Sequence, residues 1–237
     1  MKKIFLLLII CCFNASAENS YQSALQAFKK ENTKSPFSEA EQKILKSAAE
    51  KLAKKLPKPG LKVGQKAPLF TLKNMFGRPI SLADKLKKGP VILVFYRGAW
   101  CPFCNLHLRT LHKHKETFAD YDAQLLFVTP QQPIKSLMHM KEKGFNFEVL
   151  SDSESKVMKQ YNLYFKMDPK LTKVYKDNGL DVESFNGEGR TELPVPGTFV
   201  IDQQGVIQAM QADTDYTQRM EPAAIIKTLE ELSCDSQ

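Results

Sequence analysis

The run Val91-Ile92-Leu93-Val94-Phe95-Tyr96, the bridge Arg97-Gly98-Ala99-Trp100, then Cys101-Pro102-Phe103-Cys104 and Asn105-Leu106-His107-Leu108-Arg109-Thr110-Leu111 decide the fold. The first stretch is continuously apolar, β-branched and aromatic, the pattern of a strand buried on both faces. In the last stretch the apolar residues recur at helical spacing. The two cysteines therefore stand where a strand ends and a helix begins. Unpaired N–H groups and the positive end of the helix dipole at that junction favour a thiolate over a thiol.

Outward from this junction the chain alternates strands and helices from Leu61 onward. Residues 69–72 and 79–82 flank a turn at Phe76-Gly77 and predict a hairpin. A helix is expected over about 101–118, and residues 124–129 and 147–150 read as further strands. Helices follow near 134–143 and 154–161, and residues 165–192, rich in Lys, Asp and Gly, read as an insertion. Residues 198–202 and 206–210 bracket Gln203-Gln204-Gly205 as a second hairpin, and a last helix is expected over about 222–232. This order predicts an α/β fold with a central mixed sheet flanked by helices.

Before that domain, Lys2-Lys3, the apolar run Ile4–Phe13 and Ala15-Ser16-Ala17 form a secretory leader over 1–17. The apolar run is too short to span a membrane. A lipidated Cys11 or Cys12 fits less well, because the preceding position is not small. Export, most simply to the periplasm, is therefore expected, with no stable membrane association after cleavage. Residues 18–60 read as a helical extension, with Ser38 and Glu41 as a capping box and Pro57-Lys58-Pro59-Gly60 as its end. Packing on the domain, pairing in a homodimer and a free arm are all open to it.

Of the five cysteines, Cys11 and Cys12 leave with the leader, and Cys234 lies in the polar tail 233–237. Three thiols are too few for a disulfide scaffold, and a CxxC loop constrains the unfolded chain little. The pair is suited to reversible chemistry instead. The formal charge of +8 is concentrated in lysines over residues 29–66. Spread among Ala, Leu and Glu without aromatic interleaving, they read as a solvated helix face, and nucleic acid is not an expected partner.

Val63-Gly64-x-x-Ala67-Pro68-x-Phe70-x-Leu72, the phrase Phe95 to Cys104, and the late Pro196-x-Thr198-Phe199-x-Ile201-Asp202 together resemble the peroxiredoxins, on a thioredoxin-like fold. More narrowly, they resemble the bacterioferritin-comigratory type and its peroxiredoxin-like relatives. The resemblance covers residues 61–232. Laid on the family pattern Pro-x-x-x-Thr-x-x-Cys, the peroxidatic cysteine falls on Cys104, the threonine on Cys101 and the proline on Arg97. It implies a peroxidase for hydrogen peroxide or organic hydroperoxides, with Cys101 resolving Cys104 and a thioredoxin-like protein as reductant. No metal or organic cofactor is implied.

Two positions depart from the family. Its arginine before the late Thr-Phe is replaced by Pro196, the position of the cis-proline in thioredoxins, and Arg97 or Arg190 are the candidates to supply the charge. The hybrid site leaves a second mechanism open, in which Cys101, following Trp100, is the more exposed sulfur and attacks protein disulfides. Arg97, Trp100, Pro196 and Thr198 are the expected supporting residues in either case. A zinc site built on Cys101, Cys104 and His107 lacks a second ligand pair, since neither Cys234 nor His139 supplies one. His107, His112 and His114 read as exposed residues of a basic helix.

Overall fold

The computed structural model describes residues 19–235. The expected leader over 1–17, with Cys11 and Cys12, and the last residues of the tail lie outside that range. No helix among the described residues is long and apolar enough to cross a membrane.

The extension forms α1 (Tyr21–Glu31) and α2 (Glu39–Lys55), the second opened by the expected capping box of Ser38 and Glu41. The domain follows as β1 (Thr71–Asn74), β2 (Pro79–Ser81), α3 (Leu82–Leu86), β3 (Val91–Phe95), α4 (Pro102–Lys113), α5 (Lys115–Ala119), β4 (Gln124–Thr129) and α6 (Pro133–Lys143). Next come β5 (Glu148–Ser151), α7 (Lys156–Gln160), β6 (Tyr164–Lys166), α8 (Pro169–Asp177), α9 (Val182–Asn186) and β7 (Glu192–Pro194). The chain closes with β8 (Gly197–Ile201), β9 (Ile207–Ala212) and α10 (Pro222–Asp235). Seven strands form one mixed sheet in the order β2-β1-β5-β4-β3-β8-β9. The β3–β4 and β4–β5 pairs are parallel and the rest antiparallel, as a thioredoxin-like α/β sheet requires.

The all-apolar β3 is buried at every position and divides its side chains between two cores. Leu93 and Phe95 pack with Tyr161 and Phe199 on one face, where the Phe95 and Tyr161 rings lie 5.0 Å apart. Ile92, Val94 and Tyr96 face α4, α6 and α10 on the other, together with both cysteines. Thus period-two alternation along β3 places the redox pair on one face only.

Two expectations need correction, and a third gains detail. The helix over 101–118 is two helices: the His114 N–H turns back to the carbonyl of Leu111, three residues earlier, and the ladder breaks there. The insertion, for which the sequence pattern predicts no elements, holds β6, α8, α9 and β7, with a small core around Met167, Tyr175, Val182 and Leu193. The last helix runs on to Asp235, so Cys234 sits exposed in its final turn rather than in a polar tail.

Candidate active site

After β3 the chain turns through Gly98, whose φ of +147° is a conformation glycine tolerates. A Cβ there would lie 2.6 Å from the Trp100 indole nitrogen, so a larger residue would displace that ring. The loop is pinned by the Ala99 N–H on Gln131 Oε1 at 3.0 Å and by Asn105 Nδ2 on the Ala99 carbonyl at 2.8 Å. Pro102 occupies the first turn of α4, where its missing N–H costs nothing. Cys101 is the N-cap, and its sulfur accepts the Cys104 N–H at 3.4 Å.

Arg97 Nη2 donates to Cys101 Sγ at 3.4 Å, and Arg219 Nη2 approaches Cys104 Sγ at 3.7 Å. Among the described residues neither guanidinium is bonded to a carboxylate, and each lies against one of the two sulfurs. Burial opposes ionisation of Cys101. The Cys104 S–H and the charges of Arg97 and Arg219 outweigh it and hold that thiol well below the ordinary cysteine range. Burial and the neighbouring Cys101 sulfur push Cys104 well above it. The arrangement is one shared proton: a Cys101 thiolate beside a Cys104 thiol.

Both sulfurs are inaccessible, at 0% and 1% exposure, so Cys101 is not the exposed member of the pair. Phe28 of α1 packs on Phe103, and Tyr21 of α1 packs edge-on against His107 at 5.5 Å. Beside them Arg97 is held between the rings of Tyr216, at 4.2 Å, and Trp100, at 5.1 Å. On its far side lies a cavity of about 430 Å³ walled by Leu52 of α2, Phe165, Met167, Tyr175 and Pro196. Arg97 is 6% exposed and its Nε has no partner among the described residues. It is the polar group through which the cavity meets the Cys101 sulfur.

The expected supporting residues divide. Arg97, Trp100 and Pro196 gather at the site, and Thr198 lies on the cysteine-bearing face of β8, opposite Val94. Pro196 is trans, as is every described peptide bond, so the thioredoxin analogy fails at that position. Arg190 is turned away and bonds the Asn186 carbonyl. Arg219 carries no signal in the sequence, because its contact with Cys104 spans 115 residues and leaves no local pattern. The donors also gather on Cys101, whereas the family pattern puts the attacking sulfur on Cys104.

His107 is buried, not exposed, and its Nε2 lies 3.2 Å from the Met220 carbonyl. His112 packs tilted against Phe145 and edge-on against Phe147, and His114 approaches the Asn19 carbonyl. Burial, reinforced by Arg219, pushes His107 down to about 3, and burial takes His139 to about 4. Between those values and the ordinary 6.5 the unfolded chain binds protons that the folded chain does not. Stability therefore falls as pH falls through that window, by about 1.4 kcal/mol per pH unit for each imidazole. His107→Gln should remove one such contribution between about pH 6 and 4. Urea midpoints at several pH values would show it, and an unaltered slope would mean that the imidazole is charged in the fold.

Residues 63–210 match the AhpC/TSA family. A bcp peroxiredoxin of Buchnera aphidicola subsp. Schizaphis graminum is 32% identical over 104 residues, 44% of this chain and 65% of that protein. The chain thus spans just under two thirds of that relative. The corresponding protein of Coxiella burnetii is 32% identical over 157 residues, 63% of this chain and 87% of that one. Among solved structures, peroxidoxin BcpB of Mycobacterium tuberculosis gives a TM-score of 0.58 at 20% identity, covering 73% of this chain and 98% of its own. That likeness is one of fold.

Proposed function

This chain belongs to the AhpC/TSA family of peroxiredoxins, and from that premise we propose that it is a thiol-dependent peroxidase working through Cys101 and Cys104. The observation that carries the reading is Arg97, which contacts the Cys101 sulfur on one side and lines the apolar cavity on the other. A hydroperoxide entering the cavity meets the guanidinium first. The Cys101 thiolate then attacks the distal oxygen and the O–O bond breaks. The alkoxide leaves with a proton as the alcohol, and Cys101 becomes a sulfenic acid. Cys104 attacks that sulfur, water departs, and a Cys101–Cys104 disulfide forms. An external thioredoxin-like dithiol reduces it, being oxidised in turn. Cys101 is thus the peroxidatic and Cys104 the resolving cysteine, reversing the roles that the family pattern assigns.

The AhpC/TSA match supports the peroxidase reading over the second mechanism, attack on protein disulfides. Burial of the two sulfurs does not separate them, because the thioredoxin-like reductant needs the same access. The leader over 1–17 supports a periplasmic setting, which N-terminal sequencing of the mature protein would test.

The cavity supports organic hydroperoxides over hydrogen peroxide. Ala48→Phe, on the cavity wall, should raise KM for cumene hydroperoxide about tenfold, the scale on which apolar pockets discriminate. Turnover of hydrogen peroxide should stay within about twofold. Equal loss with both peroxides, or no loss with either, would remove the cavity from the substrate path.

A further inference from the structure

Residues 213–221, between β9 and α10, form a strap across the cysteine pair. Its Tyr216 ring covers the Arg97 guanidinium at 4.2 Å and packs on Phe103 at 5.4 Å. Three residues on, Arg219 reaches the Cys104 sulfur. An internal knot, with the Asp215 carboxylate accepting the Thr217 N–H and hydroxyl and Gln218 Nε2, keeps the strap compact. What fixes the strap to the rest of the protein is largely the N-terminal helix. The Tyr21 hydroxyl donates to the Thr217 carbonyl at 2.8 Å, and the Glu221 carboxylate accepts the N–H groups of Tyr21 and Gln22 at 2.9 and 2.8 Å. A carboxylate on the first N–H groups of a helix is a favoured cap. On the opposite side His107 of α4 holds the Met220 carbonyl.

Tyr21 is therefore placed two residues from Arg219 along the strap, 1% exposed, and hydrogen-bonded to it at one point. Burial raises its phenol to about 12, so the hydroxyl stays a donor. We propose that Tyr21 is a positioning residue for the redox pair: by anchoring the strap through Thr217, α1 keeps Arg219 on Cys104 and Tyr216 on Arg97. The extension is then part of the redox centre and not an appendage to it. This inference rests on the reading of Cys101 and Cys104 as the reactive pair, but not on peroxide being their substrate.

The groups facing the pair bound what can shift its titration. They are Arg97 after β3, Arg219 and Tyr216 on the strap, Tyr21 on α1, Tyr96 at the end of β3, and His107 on α4, with Asp215 and Tyr175 acting through Tyr21 and Arg97. Of these only the two arginines carry positive charge at neutral pH. Release of the strap withdraws Arg219, and the thiolate should then require a higher pH.

The test is the pH profile of alkylation of the reduced full chain by iodoacetamide, with the modified cysteine located by mass spectrometry. The midpoint reports ionisation, whereas the plateau rate reports access, so a loosened cover and a lost charge separate. Tyr21→Phe, which deletes one hydroxyl, should raise the midpoint by about half a pH unit or more, and Arg219→Gln by at least as much. The double variant should match Arg219→Gln alone, because both changes remove the same contact. Glu221→Gln, which weakens the anchor from the strap side, should shift the midpoint in the same direction. An unmoved midpoint in both Tyr21→Phe and Glu221→Gln would overturn the proposal, as would full additivity in the double variant. Because no peroxide enters the assay, a protein inert to peroxides with the predicted shifts would sink the peroxidase reading and leave this inference standing.

Discussion

Cys101→Ser is expected to abolish peroxide consumption, lowering the rate at pH 7 by about a thousandfold or more, to the background of the remaining thiols. Cys104→Ser should behave differently. Its first encounter with hydroperoxide should be fast and should end in a Cys101 sulfenic acid that dimedone traps, with no catalytic turnover afterwards. The asymmetry follows from the donors. Cys101 accepts the Cys104 N–H and an Arg97 N–H, both at 3.4 Å, whereas Cys104 has only the 3.7 Å approach of Arg219. A serine at 104 keeps the backbone donor and Arg97 in place, so the nucleophile survives. If Cys104→Ser were the variant that lost the first reaction, the roles of the two sulfurs would revert to those of the family pattern.

Replacing Arg97 by Met should cost about a hundredfold at pH 7 and far less at pH 9. Met fills the space between Trp100 and Tyr216 but removes the charge on Cys101. The sign is fixed by the direction of the shift. The native thiol is held well below the ordinary cysteine value, so the thiolate persists and native activity should be flat across the neutral range, falling only in acid. Without Arg97, burial has one less opponent, the thiol pKa rises, and the rate at pH 7 drops by the lost thiolate fraction. Raising pH restores that fraction. A variant whose activity was low by the same factor at every pH would show that Arg97 orients the peroxide without setting the ionisation of Cys101.

The strand-to-helix junction was legible because two local signals lie close together along the chain: the continuous apolar run 91–96 and the helical spacing of the apolar residues over 105–111. Boundaries were less so. Nothing around His114 announces a break, since the helix stops there through a tightened turn at Leu111 and a contact with Asn19. The site itself was half legible. Trp100 and Arg97 are neighbours of Cys101 in sequence, and proximity alone places them. Arg219 reaches the Cys104 sulfur, Tyr216 the Arg97 guanidinium and Tyr21 the His107 ring, from opposite ends of the chain and through tertiary contacts that carry no sequence spacing. His107 looked like a surface residue for the same reason: on a helix covered by one face of the sheet alone it would be exposed, but α1 covers the other side. The extension, for which packing, pairing and freedom were equally open, is the element whose position most alters the reading of the site.

The most direct measurement is a stopped-flow experiment on the reduced full chain, mixed with one equivalent of cumene hydroperoxide and followed through Trp100, the one tryptophan. The quenched product is digested and weighed. The account predicts oxidation several orders of magnitude faster than that of free cysteine, one alcohol formed per peroxide, and the peptide holding Cys101 and Cys104 lighter by two hydrogens. Oxidation at the pace of an ordinary buried thiol, or a disulfide that leaves Cys101 out, would contradict it.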